Sequence, residues 1–204
     1  MTKKFYRASL TFLFSSAAIA SGCGRKSSSL QQQNPIPAEQ QNADAAGFKE
    51  FSDHVKDYVK LHHAQEALLP KLKQTDLPEM IAAHQVALAR KIRQARPNAK
   101  SGDIFTPAAQ KSFEDVIQTT MQSAHGPNVD ATLKQGSPLP MSSVAINEPY
   151  PDGVPYTTVP PTLLLIFPKL PDEVVYRVVL RDLLLLDLKA NLVVDVIPGI
   201  IPQS

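Results

Sequence analysis

The spacing of apolar residues changes several times along the chain, and each change marks an element. Residues 8 to 20 are apolar or small without interruption, and from Gly24 to Ala46 large apolar residues almost vanish among Ser, Gln, Asn, Ala and Pro. Such a tract cannot bury enough surface to offset its ordering entropy, so residues 23–46 are predicted to be a disordered tether. Three stripes of helical period follow. Phe48, Phe51, Val55, Tyr58, Val59, His62 and Leu69 recur at steps of three and four, and Pro70 closes the run. Ile81, His84, Leu88, Ile92 and Ala95 form a second stripe, with Asp76 as N-cap, Pro78 in the first turn, Glu79 in the capping-box position and Pro97 beyond its end. Thr106-Pro107 supplies N-cap and N1 for the third, made of Phe113, Val116, Ile117, Thr120, Met121 and Ala124, which Gly126-Pro127 ends. Short connections between amphipathic helices predict an antiparallel bundle of about three helices over residues 47–136.

The period then disappears. Half of the eighteen prolines fall between Ser137 and Pro171. Proline fixes φ and removes a donor, so residues 137–171 are predicted to be extended loop, neither long helix nor central strand. One helical turn is expected at Thr162–Phe167, where Leu163, Leu164, Leu165, Ile166 and Phe167 are apolar enough to pin the loop to the core. Beyond it, Val174–Leu180, Asp182–Leu188 and Leu192–Ile197 are short aliphatic runs, and Lys189-Ala190-Asn191 offers a turn in which asparagine tolerates a left-handed conformation. Residues 172–204 are therefore expected to form an antiparallel hairpin or three-stranded meander. The fold class is α+β, with residues 47–204 as one domain. Both faces of the meander carry aliphatics. One is assigned to the helices or loop, the other either to the Pro-rich segment or to a partner.

Composition narrows the functional classes. Lys3, Lys4 and Arg7 precede the apolar run, and Ala20-Ser21-Gly22-Cys23 follows it. That order is the order of a secretory signal: charged region, short apolar region, small-residue cleavage site. A run of about 13 residues spans roughly 20 Å as a helix, short of the roughly 30 Å of a hydrocarbon core. Residues 1–22 are read as a removable signal peptide. Without its three cations, Lys+Arg falls from 21 to 18 against 19 acids, so the remaining chain is close to neutral. No basic surface points to nucleic acid. A single cysteine allows neither an intrachain disulfide nor a cysteine-based zinc site.

Ala20-Ser21-Gly22-Cys23 resembles the lipobox of bacterial lipoproteins, with alanine where leucine is commonest. The resemblance implies a diacylglycerol on the Cys23 thiol, cleavage before it, acylation of the new amino terminus, and attachment to an envelope membrane. Gly24 after the cysteine resembles the pattern that sorts lipoproteins to the periplasmic side of the outer membrane. Cleavage after Ala18-Ile19-Ala20, giving a secreted protein, also fits the small-residue pattern. The whole mature chain, including His84-Gln85 and Gly102-Asp103-Ile104-Phe105-Thr106-Pro107, resembles a family of uncharacterised bacterial envelope lipoproteins, which implies no activity. Leu170-Pro171-Asp172-Glu173-Val174-Val175-Tyr176-Arg177, with Asp182-Leu183 and Asn191-Leu192-Val193-Val194-Asp195, weakly resembles the C-terminal strands of small periplasmic proteins of nickel and cobalt homeostasis. The aromatic residues usual before those strands are mostly missing here.

Candidate chemistry is sparse. His62 and Glu66 lie one turn apart on the first helix, and His84 lies on the stripe of the second. Two imidazoles and a carboxylate suit zinc or nickel. The competing reading is half-buried histidines hydrogen-bonded inside a bundle, and no metal ligand is assigned. No Gly-x-Ser-x-Gly, His-Glu-x-x-His or phosphate loop occurs. Asp182, Asp187 and Asp195 are read as strand-end and solvent-face residues rather than a catalytic carboxylate cluster. Arg90, Lys91, Arg93 and Arg96 form the one basic run, read as a solvated helix face within reach of anionic headgroups. The expected function is a membrane-tethered, non-enzymatic binding or scaffolding module with a possible envelope protein partner and no cofactor beyond the lipid; the alternative is periplasmic metal handling.

Overall fold

The computed structural model describes residues 38–72, 77–134, 144–151 and 153–202. Helix α1 (Ala38–Glu66) is the longest element, and α2 (Pro78–Ala95), α3 (Pro107–Gln122), α4 (Gly126–Lys134) and the one-turn α5 (Pro161–Leu164) follow. Strands β1 (Thr157–Thr158), β2 (Val174–Val179), β3 (Asp182–Asp187) and β4 (Leu192–Ile197) make one antiparallel sheet in sequential order. The chain is thus a mixed helix and sheet protein, with helices N-terminal and the principal strands C-terminal.

Five helices replace the expected three or so, and each difference has a local cause. Residues 38–46 are helical where the sequence reading placed tether. Ala, Glu and Gln are strong helix formers, and a helix continued from a packed segment needs no apolar stripe of its own. Gly126-Pro127 begins α4 rather than only ending α3, because proline is tolerated in a first helical turn. A Cβ at Gly126 would sit 1.9 Å from the Met121 carbonyl oxygen, so the close restart requires glycine. Asp76 lies outside the described residues, and the N-cap position of α2 is Leu77, whose side chain makes no capping bond.

Helices α1 and α3 cross in opposite directions. Phe48 meets Phe113, and Phe51 meets both Phe113 and Phe105. Gly47 sits at the crossing, where a Cβ would lie 2.2 Å from Ser112 Oγ and 2.5 Å from the Ala108 carbonyl oxygen. Gly47→Ala is expected to destabilise the protein by about 1–3 kcal/mol despite alanine's better helix propensity, because overpacking outweighs a gain of at most about 1 kcal/mol. Urea denaturation checks it, and a more stable variant would mean that the helices part without cost.

The stripe of α1 buries Phe51, Val55, Tyr58 and His62 as its period predicts. In α2 only Leu88, Ala89 and Ile92 are buried; Ile81 is 47% exposed and Ala95 faces solvent. Phe51, Phe105, Phe113, Phe167 and Tyr176 form a ring cluster joining α1, α3, the end of the α5 turn and β2. Leu163 and Phe167 pin the Pro-rich segment there, whereas Leu164, Leu165 and Ile166 face out.

The sheet is buried on both faces. Val174, Tyr176, Val178, Leu183, Leu185, Leu192, Val194 and Ile197 pack with the helices, while Val179, Leu184, Leu186, Val193 and Val196 pack with Tyr150, Val144, Ile146 and Val154. Among the two coverings considered for the second face, it is the Pro-rich segment that packs there. The same segment pairs with β2 on one side of the sheet and with β4 on the other. Asn147 N–H donates to Val193 O, Val193 N–H to Glu148 O and Tyr150 N–H to Asn191 O, which lines residues 147–150 along β4. Thr157 and Thr158 pair with Val178 and Arg177 of β2 and add a fourth strand to the expected meander. Proline is suited to a sheet edge, where one side of the backbone needs no partner.

Candidate functional site

The chemistry-bearing residues converge between α1 and the helix-facing side of the sheet. Tyr58, His62 and Glu66 follow one another at one-turn steps on α1. In β3, alternation puts Asp187 on the face of Leu183 and Leu185, and its partners across the ladders are Val174 and Leu192, which also pack with the helices. Asp187 is fully buried. Its Oδ2 accepts the Tyr58 hydroxyl at 2.7 Å and lies 2.6 Å from His62 Nδ1, while Oδ1 accepts the Ala190 N–H at 2.8 Å. A carboxylate only accepts, so His62 Nδ1 carries the proton. Burial, then the charge of Asp187 and the bond to it, hold the Tyr58 hydroxyl protonated, its pKa well above the ordinary 10.0; nearby Arg96 opposes this only in part. The Arg96 guanidinium lies 5.2 Å from the centre of the Tyr58 ring.

His62 Nε2 is buried, has no hydrogen-bond partner, and lies 3.6 Å from Glu66 Oε2. Glu66 in turn meets Lys189 Nζ at 3.3 Å. Next to it, His63 Nε2 bonds Glu173 at 2.7 Å. Burial pushes the Glu173 carboxyl up, but the His63 hydrogen bond, its own backbone N–H and the charges on His63 and His62 outweigh that and leave it below its ordinary range. A cavity of about 450 Å³ opens above, lined by His63, Glu66, Leu69, Leu72 and His84 among others.

Of the metal-ligand candidates, Glu66 and His84 therefore share a cavity, while His62, 3.6 Å from Glu66, is buried and is not part of its lining. Among the described residues no three of His, Cys, Asp and Glu come together as a metal-binding group. An Asp–His pair is the arrangement that orients a metal-bound or proton-accepting imidazole. Here the free nitrogen is enclosed, so the pair acts as a structural pin between helix and sheet. Cys23 lies outside the described residues.

The assignment of the three aspartates needs correction. Asp182 fits a strand end and accepts the Gly199 N–H at 2.7 Å. Asp187 and Asp195 face the interior, both with no exposed surface. A register shift at Leu185/Leu186, which pairs Leu185 with Asp195 and Leu186 with Val193, decides which buried face Asp195 takes. The extra residue, Val194, puts Val194 and Asp195 on one face. Asp195 there accepts the N–H groups of Gly102 (3.0 Å), Ile104 (2.7 Å) and Phe105 (2.8 Å), besides that of Val196 (2.8 Å). A signal was present in the sequence: a strand with aliphatics on both faces has no solvent side, so an aspartate inside it must find donors.

The basic run is divided too. Arg96 is 12% exposed at its side chain and packs on Tyr58, and Arg93 pairs with Glu148. Arg90 and Arg93 are exposed, as a solvated face requires, whereas Lys91 and Arg96 are partly buried. No described helix is long and apolar enough to cross a membrane. Comparison with protein-family models, with curated proteins and with solved structures finds no match to this chain.

Proposed function

We propose that the chain is a lipid-anchored protein of the bacterial cell envelope, held at the periplasmic side of the outer membrane, whose folded part binds or scaffolds an envelope partner and performs no reaction of its own. The carrying observation is the charged start, the short apolar run and Ala20-Ser21-Gly22-Cys23, with the only cysteine where a thioether-linked lipid belongs. Two or more acyl chains hold a membrane firmly where one is marginal. The use of polar residues in the interior supports the reading: Asp187, Asp195 and His62 are spent on holding elements together. Metal handling has less support, since His62 is held by Asp187 and does not line the cavity that Glu66 and His84 share.

Radiolabelled palmitate and intact mass on protein from its native host test the anchor. The expected result is incorporation into wild type and none into Cys23→Ala, with release of the variant from membranes. An unlipidated mature chain beginning at Ser21 overturns it. Calorimetric titration of the same material with zinc and nickel separates the two functions, and the expected outcome is no heat above buffer. Saturable heat lost in His84→Ala would favour the metal reading.

A further inference from the structure

We propose that the α5 turn is a second membrane contact, a small apolar wedge that enters the acyl boundary of the bilayer to which Cys23 is tied; the inference rests on the anchored reading above. Three consecutive large aliphatics project from this turn: Leu164 is 48%, Leu165 88% and Ile166 47% exposed. Their neighbours Leu163 and Phe167 are buried, so the turn is fixed to the core and its tip stands outward as a rigid projection. Lys169 and Arg177 line the groove beside Leu164, and Tyr156 lies under the Arg177 guanidinium at 4.8 Å while 43% exposed. An aliphatic tip with a tyrosine and two cations behind it has the order of an interfacial anchor: acyl contact first, aromatic and cationic groups at headgroup level.

The placement of the tip in the fold selects lipid as its occupant. Phe48 lies one ring contact from Phe113 (5.0 Å), and Phe113 one from Phe167 (4.7 Å). The tip therefore sits beside the N-terminal half of α1, and Ala38 is ten residues, or about 15 Å of helix, from Phe48. Residues 24 to 37, fourteen in all, separate Cys23 from that helix. They span at most about 50 Å. Leu188 marks the other end of α1, because its N–H bonds Glu173, which His63 holds. A lipid on Cys23 thus leaves the α5 end within reach of the surface at high effective concentration, where even a weak apolar contact is populated.

The test labels the full chain. A lipidated Cys23 has no free thiol, so Leu165→Cys and, separately, Leu188→Cys each take one environment-sensitive fluorophore by maleimide chemistry. The proteins are reconstituted in phosphatidylethanolamine–phosphatidylglycerol vesicles. The expected result is blue-shifted emission at position 165 that is lost when the acyl chains carry bromine, with water-like, unquenched emission at 188. Water-like emission at 165 overturns the wedge. So does a blue shift that bromine does not quench, which would mean a protein or a second copy on the tip. Label stoichiometry keeps the two readings apart: two labels per chain mean a free Cys23 and the failure of the anchor, whatever the tip does.

Discussion

Asp187→Ala is expected to cost about 3–5 kcal/mol, as removal of one partner from a buried charged network does. The substitution strips the acceptor from three buried donors at once: the Tyr58 hydroxyl, His62 Nδ1 and the Ala190 N–H. Each orphaned group carries a desolvation penalty of about 1–3 kcal/mol, and relaxation of the helix away from the sheet recovers part of the sum. Because a domain of this size holds only about 5–15 kcal/mol in all, the variant should unfold at far lower urea. Tyrosine fluorescence and far-ultraviolet circular dichroism report the transition, there being no tryptophan. Asp182→Ala is the control. That carboxylate accepts one bond, from Gly199 N–H, at an exposed site where water replaces the acceptor, so its loss should fall within about 1 kcal/mol. Equal midpoints for the two variants would show that Asp187 does not tie α1 to the sheet.

The second large effect is expected at Asp195. Asp195→Ala leaves the N–H groups of Gly102, Ile104 and Phe105 without their acceptor, besides that of Val196. Hydrogen bonds to a charged group contribute about 1.5–3 kcal/mol each, and bonds to a shared carboxylate do not add fully, so a loss of about 4 kcal/mol is expected. The consequence extends beyond the bonds themselves, because Phe105 stacks on Phe51 and meets Phe113 in the ring cluster. Hydrogen exchange should accelerate most at Ile104 and Phe105. Asp195→Asn keeps one acceptor oxygen and should lose less. Unchanged protection at those two amides in Asp195→Ala would refute the pin, whatever the global stability.

Both aspartates show where sequence reasoning stopped. Asp187 sits at a position whose parity with Leu183 and Leu185 was readable, yet its place at the end of an aliphatic run suggested a strand end. Asp195 was less accessible, because the one-residue register shift that turns it to the helix side depends on how β4 meets β3. Tyr58 and His62 were recognised as members of the apolar stripe, and their shared partner lies 129 and 125 residues away. No local pattern carries such a pairing. The start of α1 was misplaced for another reason. A polar, alanine-rich segment is neutral between coil and helix until a packed neighbour nucleates it.

Local periodicity and punctuation determined much of this protein. Period 3.6 marked α1, α2 and α3, short aliphatic runs with a turn at Asn191 marked β2 to β4, and proline density marked a segment barred from central strands; Asn191 does take the left-handed conformation, at φ 46°. These features are legible because each is set by residues within a few positions of one another. Tertiary structure alone decided that the Pro-rich segment covers the second face of the sheet, that a bulge aims Asp195 at the Gly102–Phe105 amides, and that Leu164, Leu165 and Ile166 at the end of α5 stay outside. Those outcomes depend on which surfaces meet after the chain has closed long loops, and burial and donor satisfaction are properties of that meeting.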